Sequence, residues 1–121
     1  MAAFKAEGDV IQWTNGTGSD VASGAVVVVG NTLGVALVDI ASTATGSVAV
    51  EGVYSCPKAS AAVIAQGESL TWDVSAGNFD DNAATPASGD ITGATAFAYA
   101  AAGNGTTTVL VKLTGAPGTK T

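Results

Sequence analysis

Residues 24–53 read GAVVVVGNTLGVALVDIASTATGSVAVEGV, and this stretch decides the fold. Two runs rich in apolar residues, 25–29 and 33–40, are separated by Gly30-Asn31, a pair typical of a tight hairpin turn. Because both runs are nearly continuous rather than alternating, each predicts a strand that is buried on both faces. Residues 47–54 then alternate between valine and smaller or polar side chains, which predicts a third strand.

A similar pattern of glycines and strands appears a second time, in residues 67–113. The matching glycines in each copy are 12 residues apart: Gly34 and Gly46, then Gly93 and Gly105. Residues 75–90 interrupt the second copy with Gly, Asn, Asp and Pro, which predicts a long loop. The sequence therefore predicts a duplicated β unit whose two halves differ most in this loop.

The composition favours an all-β fold. A chain of 121 residues is enough for one domain, and charged residues make up only 12% while Val, Thr and Gly are abundant. Further strands are predicted at residues 9–14, 69–74, 91–100 and 106–114. Short strands separated by turn signals predict a small single-domain β-sandwich or barrel with an internal pseudo-repeat and at most one short helix.

The sequence divides into three parts. We expect a flexible N-terminal arm at residues 1–8, a single β domain at 9–114 and a C-terminal tail at 115–121 that frays. The one helix candidate is 57–66, where Pro57 suits a first helical turn and the alanines that follow favour a helix. Because the segment is short, an ordered loop is the alternative.

The charge distribution argues against two classes of partner. The chain has a net charge of −6, and its four basic residues are scattered lysines, so we expect no binding to nucleic acid. An acidic surface also repels anionic membranes. Residues 21–38 carry no charge over about the length of a membrane-spanning helix, but their glycines and the Gly30-Asn31 turn favour strand–turn–strand instead.

The chain has few of the side chains that enzymes use. It has no histidine, which excludes a Ser-His-Asp triad and a zinc site built from His and Cys. Cys56 is the only cysteine, so no intrachain disulfide forms, and we expect a buried and unreactive thiol, with Lys58 a weak candidate to activate it. We therefore predict a protein that is not an enzyme and that needs no metal and no cofactor.

The carboxylates and the tryptophans suggest other kinds of site. Asp80 and Asp81 in the long loop have oxygen ligands for calcium, or a carboxylate pair for a hydrolase, but a solvated acidic loop is favoured over both. Trp13 and Trp72 lie in strand patterns and are predicted to be core residues. The alternative function is a carbohydrate-binding or adhesin-like β module that uses Trp72.

Seven short stretches, taken in order, resemble the short phage head decoration proteins, also called capsid cement proteins. They are AEGD at 6–9, SGAVVV at 23–28, LGVAL at 33–37, VAVEGVY at 48–54, PK at 57–58, QGESLTWD at 66–73 and VLVKL at 109–113. The similarity runs from about residue 5 to residue 113. The sequence departs from that pattern in the loop 75–90 and in the aromatic pair Phe97 and Tyr99, which bear on the shape of the exposed face.

The resemblance implies a structural virion protein on the outer surface of an icosahedral head. Such a protein is made in the host cytoplasm, binds the major capsid protein after the shell expands, and stabilises the shell against internal pressure. The resemblance also implies a homo-oligomer, with a trimer favoured. Residues 1–5 lack the pattern of a signal peptide, in keeping with a cytoplasmic origin.

The N-terminal arm is the candidate contact segment. An extended segment ahead of the first strand is able to add a strand to an edge of the capsid protein. The candidate capsid-contact residues are therefore Ala2, Ala3, Phe4 and Lys5, with Phe4 as the apolar anchor. A frayed terminus without a contact is the alternative.

Overall fold

The computed structural model describes all 121 residues, and β-strands are its only regular secondary structure. The eleven strands are β1 (Val10–Thr14), β2 (Val26–Val29), β3 (Thr32–Ala36), β4 (Thr45–Ala49), β5 (Glu51–Pro57), β6 (Thr71–Asp73), β7 (Asn78–Asp80), β8 (Ile91–Thr92), β9 (Ala96–Ala98), β10 (Thr108–Thr114) and β11 (Thr119–Lys120). The predicted all-β class is confirmed. No helix of the chain is long and apolar enough to cross a membrane.

The first four strands form one antiparallel sheet in the order β1-β4-β3-β2. The predicted hairpin forms one side of this sheet: β2 and β3 are joined by Gly30-Asn31, with Gly30 at a φ of 60° that suits glycine in a tight turn. Val26 lies opposite Val35 and Val28 opposite Leu33. Strands β1 and β2 are the two edges of this sheet.

The remaining strands form two smaller sheets, ordered β5-β10-β9 and β11-β8-β6-β7. Strands β5 and β10 pair over their full length, from Thr108 opposite Pro57 to Thr114 opposite Glu51. This is the longest ladder of the protein and joins residues far apart in the chain. The chain passes from the first sheet into the β5-β10-β9 sheet directly after β4, because only Val50 separates β4 from β5.

The core has two parts, one on each side of the β2–β3 hairpin. The larger part draws on all three sheets and has at its centre Leu33, Phe79, Ile91, Val111 and Leu113, each fully buried. The smaller part consists of Val27, Ala36, Ile40 and Val48, with Trp13 and Ile11 packed against it. The valine run of β2 is uninterrupted because alternate side chains enter different parts of the core.

Buried polar groups join the first sheet to the rest of the protein. The Thr95 hydroxyl, which is fully buried, accepts a hydrogen bond from the backbone N–H of Leu33 at 3.1 Å. Close by, the N–H of Gly118 donates to the carbonyl of Asn31 at 2.8 Å. Both bonds satisfy backbone groups of the hairpin that no neighbouring strand reaches, and they fix where the hairpin lies.

Of the two alternatives for residues 57–66, the structure has the ordered loop. Pro57 ends β5, Lys58 forms a parallel bridge with Phe79, and Ile64 forms an antiparallel bridge with Ala102. The Lys58 ammonium is buried and donates to the carbonyls of Ala59 at 2.8 Å and Thr106 at 3.1 Å. These long-range contacts outweigh the local helix propensity of the alanines.

The expectation of a fraying C-terminal tail is wrong. Residues 119–120 form β11, which pairs with β8, so that Thr119 lies opposite Thr92. The last residue is held as well: the N–H of Thr121 donates to the carbonyl of Asp90 at 3.0 Å, and its carbonyl accepts from Gly89 at 2.7 Å. The tail thus forms the end strand of a sheet beside β8.

The glycines of the two sequence copies have different structural roles. Gly34 and Gly46 lie inside strands of the first sheet, where a Cβ would meet neighbouring side chains. Gly93 and Gly105 lie in turns, with φ of 96° and 91°. The strands of the first copy also lie mostly in one sheet, whereas those of the second are split between two. The equal glycine spacing therefore does not reflect equivalent positions in the fold.

We expect Gly34→Ala to destabilise the protein by about 1–3 kcal/mol, because a Cβ here would crowd the side chain of Val48 and come within 3.0 Å of the carbonyl oxygen of Ala49. Urea unfolding followed by tryptophan fluorescence measures the loss. Gly103→Ala is the matched control, since no atom lies within 4 Å of its Cβ position, and it should change stability by less than about 0.5 kcal/mol. Equal stabilities for the two variants would contradict the close approach at Gly34.

Candidate functional site

The N-terminal arm, residues 1–8, contains no strand, and every residue in it is exposed. Regular pairing begins at Asp9, whose carbonyl accepts from the N–H of Val50 at 2.9 Å. Phe4 is 80% exposed, which is the largest exposure of any aromatic side chain in the protein. Ala2, Ala3 and Lys5 are exposed around it. The arm therefore presents unpaired backbone and one large apolar side chain.

A groove of about 370 Å³ runs along the free edge of β2. Its floor is formed by Ala25 and by the first three valines of β2. Trp72, Val74 and Gly77 form one wall, and the segment from Asp20 to Ala22 forms the other. Most of this lining is apolar, so the groove combines an unpaired strand edge with apolar walls.

A smaller acidic pocket adjoins this groove and shares its wall. It is lined by the carboxylates of Asp20 and Asp39 together with Val21, Ala22, Ile40 and Ala41. One oxygen of each carboxylate accepts from a loop N–H: Asp20 from Ser42 at 2.9 Å, and Asp39 from Ser23 at 2.8 Å. The other oxygen of each carboxylate makes no hydrogen bond within the chain, so negative charge lies at one end of the groove.

The outer face of the β5-β10-β9 sheet is a third exposed surface. Tyr99 is 52% exposed and Leu110 42%, and the two are adjacent because the N–H of Tyr99 donates to the carbonyl of Leu110. Lys112 lies between Val53 on one side and Phe97 on the other. Phe97 and Tyr99 lie on one face, since the intervening Ala98 is fully buried. This face is broad and combines apolar side chains with serine and threonine, and it carries two charges of opposite sign, on Lys112 and Glu51.

The two tryptophans do not present open ring faces. Trp72 is only 6% exposed and packs edge-on against Phe79, with ring centroids 4.8 Å apart. Trp13 is half-buried against the smaller core. Both were predicted as core residues, and that placement is confirmed. Since sugar binding by stacking needs an exposed ring face, Trp72 is a poor platform for a glycan.

The predicted loop 75–90 is not one loop, since β7 (Asn78–Asp80) lies within it, and the acidic residues of β6, β7 and the turns beside them hold those turns in shape. Asp81 accepts from the N–H of Ala83 at 2.9 Å, and one oxygen of Asp80 accepts from the N–H of Asp81. Three hydrogen bonds from Ser75 and Ala76 hold the pKa of Asp73 below its ordinary value, with the Ala76 N–H as the largest cause. No group of three His, Cys, Asp or Glu side chains is placed to hold a metal ion.

Cys56 is buried in the larger core, where burial raises the pKa of its thiol to about 11. Its Sγ lies 3.7 Å from the carbonyl oxygen of Tyr54, to which the thiol donates. The ammonium of Lys58 is hydrogen-bonded to backbone carbonyls and is not available to lower the pKa of the thiol. The predicted unreactive thiol fits this environment.

Sequence reasoning missed several buried polar side chains. Asn15 is fully buried, donates to the carbonyls of Ser19 and Ile40, and accepts from Thr17 through its carbonyl oxygen. Asp90 is buried and accepts from two loop N–H groups. The only available signal was their position in turn-rich segments, which equally predicts exposed residues. The free edge of β2 was missed too, because strand order is not visible in the sequence.

Comparison with known proteins gives one family. The family model described as phage cement protein matches residues 5–113. No curated protein matches the chain. The matched range begins inside the N-terminal arm and ends within β10, so it includes the groove, the acidic pocket and nearly all of the apolar outer face.

We expect Cys56 to react slowly with a disulfide reagent at pH 8, because a pKa near 11 in place of about 9 lowers the thiolate fraction about a hundredfold. The rate should rise steeply toward pH 11 and become fast at pH 8 in urea. The folded-state pKa lies above that of the unfolded chain, so stability should fall as pH rises from about 9 to about 11. Cys56→Ala should lack that part of the loss. Native labelling as fast as that of a free thiol would contradict the burial.

Proposed function

The chain belongs to the phage cement protein family, a family of structural proteins that bind the phage capsid, and from this premise we propose that it binds the outer surface of an expanded head and stabilises it against internal pressure. The single observation that carries the proposal is the family match from residue 5 to residue 113. The proposed role is structural and not enzymatic, and the proposed partner is the major capsid protein.

The surface chemistry supports a role in binding another protein over a broad area. Charged side chains are expensive to bury, and this chain has few of them. The outer face of the β5-β10-β9 sheet presents Val53, Tyr99 and Leu110 around one lysine, Lys112, with one carboxylate, Glu51, at the end of the β5–β10 ladder. Apolar faces with few charges resemble the central parts of protein interfaces, which are poor in charged residues.

The N-terminal arm is the proposed capsid-contact segment, through Ala2, Ala3, Phe4 and Lys5. Its backbone N–H and C=O groups have no partner in the chain, and Phe4 is free to enter an apolar pocket on the shell. A single contact of this size is weak. Many copies bound to one shell, however, make contacts that reinforce one another whenever copies also touch.

A homotrimer at local three-fold positions of the shell is the proposed arrangement. Its support is the resemblance to decoration proteins, and the apolar face of the β5-β10-β9 sheet is the broadest surface available for contacts between copies. Association of copies would place several arms on the shell together and raise the affinity of the assembly.

We expect the purified protein to bind expanded, undecorated heads of the phage that encodes it and to raise their melting temperature. Co-sedimentation measures binding, and calorimetry of the heads measures the temperature shift. Unexpanded heads are the control, since their surface lattice differs and binding should be much weaker. Absence of binding to expanded heads would contradict the proposal.

Phe4→Ala should weaken binding to heads about tenfold to a hundredfold, because burying a phenylalanine side chain contributes about 1.5–3 kcal/mol. Val63→Ala is the control, since Val63 is 64% exposed in the loop after β5. This substitution also removes an exposed apolar group, but at a place outside the arm. The ratio of the two dissociation constants is the measurement. Equal binding by both variants would show that the arm is not the contact segment while leaving the capsid-binding role intact.

A further inference from the structure

We propose that the groove along β2 is a strand-accepting site, and that its occupant in the free protein is the N-terminal arm of a second copy of this chain. The contact is a β-augmentation, in which an extended segment adds to a free sheet edge through backbone hydrogen bonds while alternate side chains enter the groove. The inference concerns association of the free protein and does not depend on the proposed capsid binding.

The hydrogen-bond pattern of β2 leaves a free edge. The N–H of Ala36 donates to the carbonyl of Ala25 at 2.9 Å, which makes this a hydrogen-bonded pair. In an antiparallel ladder such pairs alternate, so Val27 and Val29 bond to β3 while Val26 and Val28 do not. The N–H and C=O groups of Val26 and Val28 therefore point outward, into the groove.

The four residues of β2 carry none of the usual protections of an edge strand. Natural edge strands carry a lysine, a proline or a bulge that prevents further pairing, whereas β2 is four valines and its one bulge, where Gly24 and Ala25 both oppose Ala36, precedes it. Of the other end strands, β7 contains Asp80, β11 contains Lys120 and β5 contains Glu51 and Pro57, while β1 and β9 are uncharged like β2. An apolar edge without charged residues favours pairing with another strand. We therefore expect a partner strand to cover this edge of β2.

The groove walls select a single extended segment and not a whole sheet. Trp72 and Val74 on one side and Val21 and Ala22 on the other leave a channel of about 370 Å³ over the strand. A second β2 would bring its own walls into collision with these. A segment without neighbouring strands, such as the arm, has no such obstacle.

The arm matches the groove in pattern and in charge. In an extended arm, Ala2, Phe4 and Ala6 point to one side, which gives two small side chains and one large one for the apolar walls. Lys5 points to the other side, toward solvent and the rim. Asp20 lines the groove and Asp39 lies in the acidic pocket beside it, each with a free carboxylate oxygen. Lys5 is also the only lysine outside the folded domain, since the other three lie in β10, β11 and the core.

The geometry favours a second copy over the chain's own arm. The arm leaves the sheet from β1, and Val10 is level with Val26 but three strand spacings away, about 14 Å. Crossing a sheet face over that distance uses about five residues of the arm. Only residues 1–4 would then remain to pair with β2, and Lys5, within the crossing segment, would not reach the rim. An arm from another copy enters along the edge without crossing.

For any one arm, this contact and a contact with the capsid exclude each other, because both use Phe4. The experiment below is done without capsids, so its failure leaves the capsid-binding proposal standing.

Disulfide trapping between two full-length variants tests the contact. One variant carries Ala6→Cys and the other Val74→Cys, both in a Cys56→Ala background, and Ala2→Cys replaces Ala6→Cys in a second pair to cover both strand directions. The variants are mixed and oxidised mildly with diamide, and linked dimers are measured by non-reducing electrophoresis. We expect the arm–groove mixture to give at least about fivefold more mixed dimer than a control mixture in which Val63→Cys replaces Val74→Cys.

Two outcomes would overturn the proposal. Mixed dimers no more abundant than with Val63→Cys would show only random collision. In a third variant that carries Ala6→Cys and Val74→Cys in one chain, a link within the chain, without mixed dimers in the mixture, would place the arm in its own groove.

Substitutions on each side test the chemistry of the contact. Val26→Pro removes an outward N–H at the first residue of an edge strand, where proline is tolerated, and should lower trapping severalfold. Lys5→Glu should lower it about twofold to fivefold, whereas Lys120→Glu, the same charge change on β11, should not. Lys5→Glu keeps the test valid if Val26→Pro fails to fold. Trapping unchanged by both substitutions would contradict strand addition at this edge.

Discussion

The structure depends on the β2–β3 hairpin having an apolar core on each of its faces. Val27 faces the smaller core, and Val28 packs against the larger one, so no position of the strand is free to be polar. The close approach of Gly34 to Val48 brings β4 against the hairpin. A strand that is buried on both faces also needs its backbone groups satisfied, and the Thr95 hydroxyl does this for Leu33 across the boundary between sheets.

The buried polar groups follow one rule: each is satisfied mainly by backbone. Asn15 bonds to the carbonyls of Ser19 and Ile40, and the ammonium of Lys58 bonds to three carbonyls. In this way loops are fixed without pairs of charged side chains. The consequence for function is a surface with few charges, whose broad faces cost little to desolvate when another protein covers them.

Local sequence patterns were reliable where the physical cause is local. The Gly30-Asn31 turn follows from backbone conformation, and the strands on either side follow from their continuous apolar runs. Residues 57–66 do not form a helix, because the Lys58 ammonium bonds to the carbonyl of Thr106, 48 residues along the chain, as well as to the nearby carbonyl of Ala59. The predicted fraying of the tail was wrong for the same reason: β11 is a strand only because β8 lies beside it.

By itself, the sequence determined the all-β class, the hairpin, the burial of Trp72, the low reactivity expected of Cys56 and the family of the chain. These properties depend on side-chain type and short-range periodicity, which a sequence states directly. Only the tertiary structure decided strand order, and with it which strand is left at an edge. The valine run of β2 looks the same in a central strand as at an edge, and the groove beside it exists because Trp72 and Val74, nearly 50 residues away, form its wall. Pairing between distant segments is a property of the folded chain, so it was hidden until the sheets were assembled.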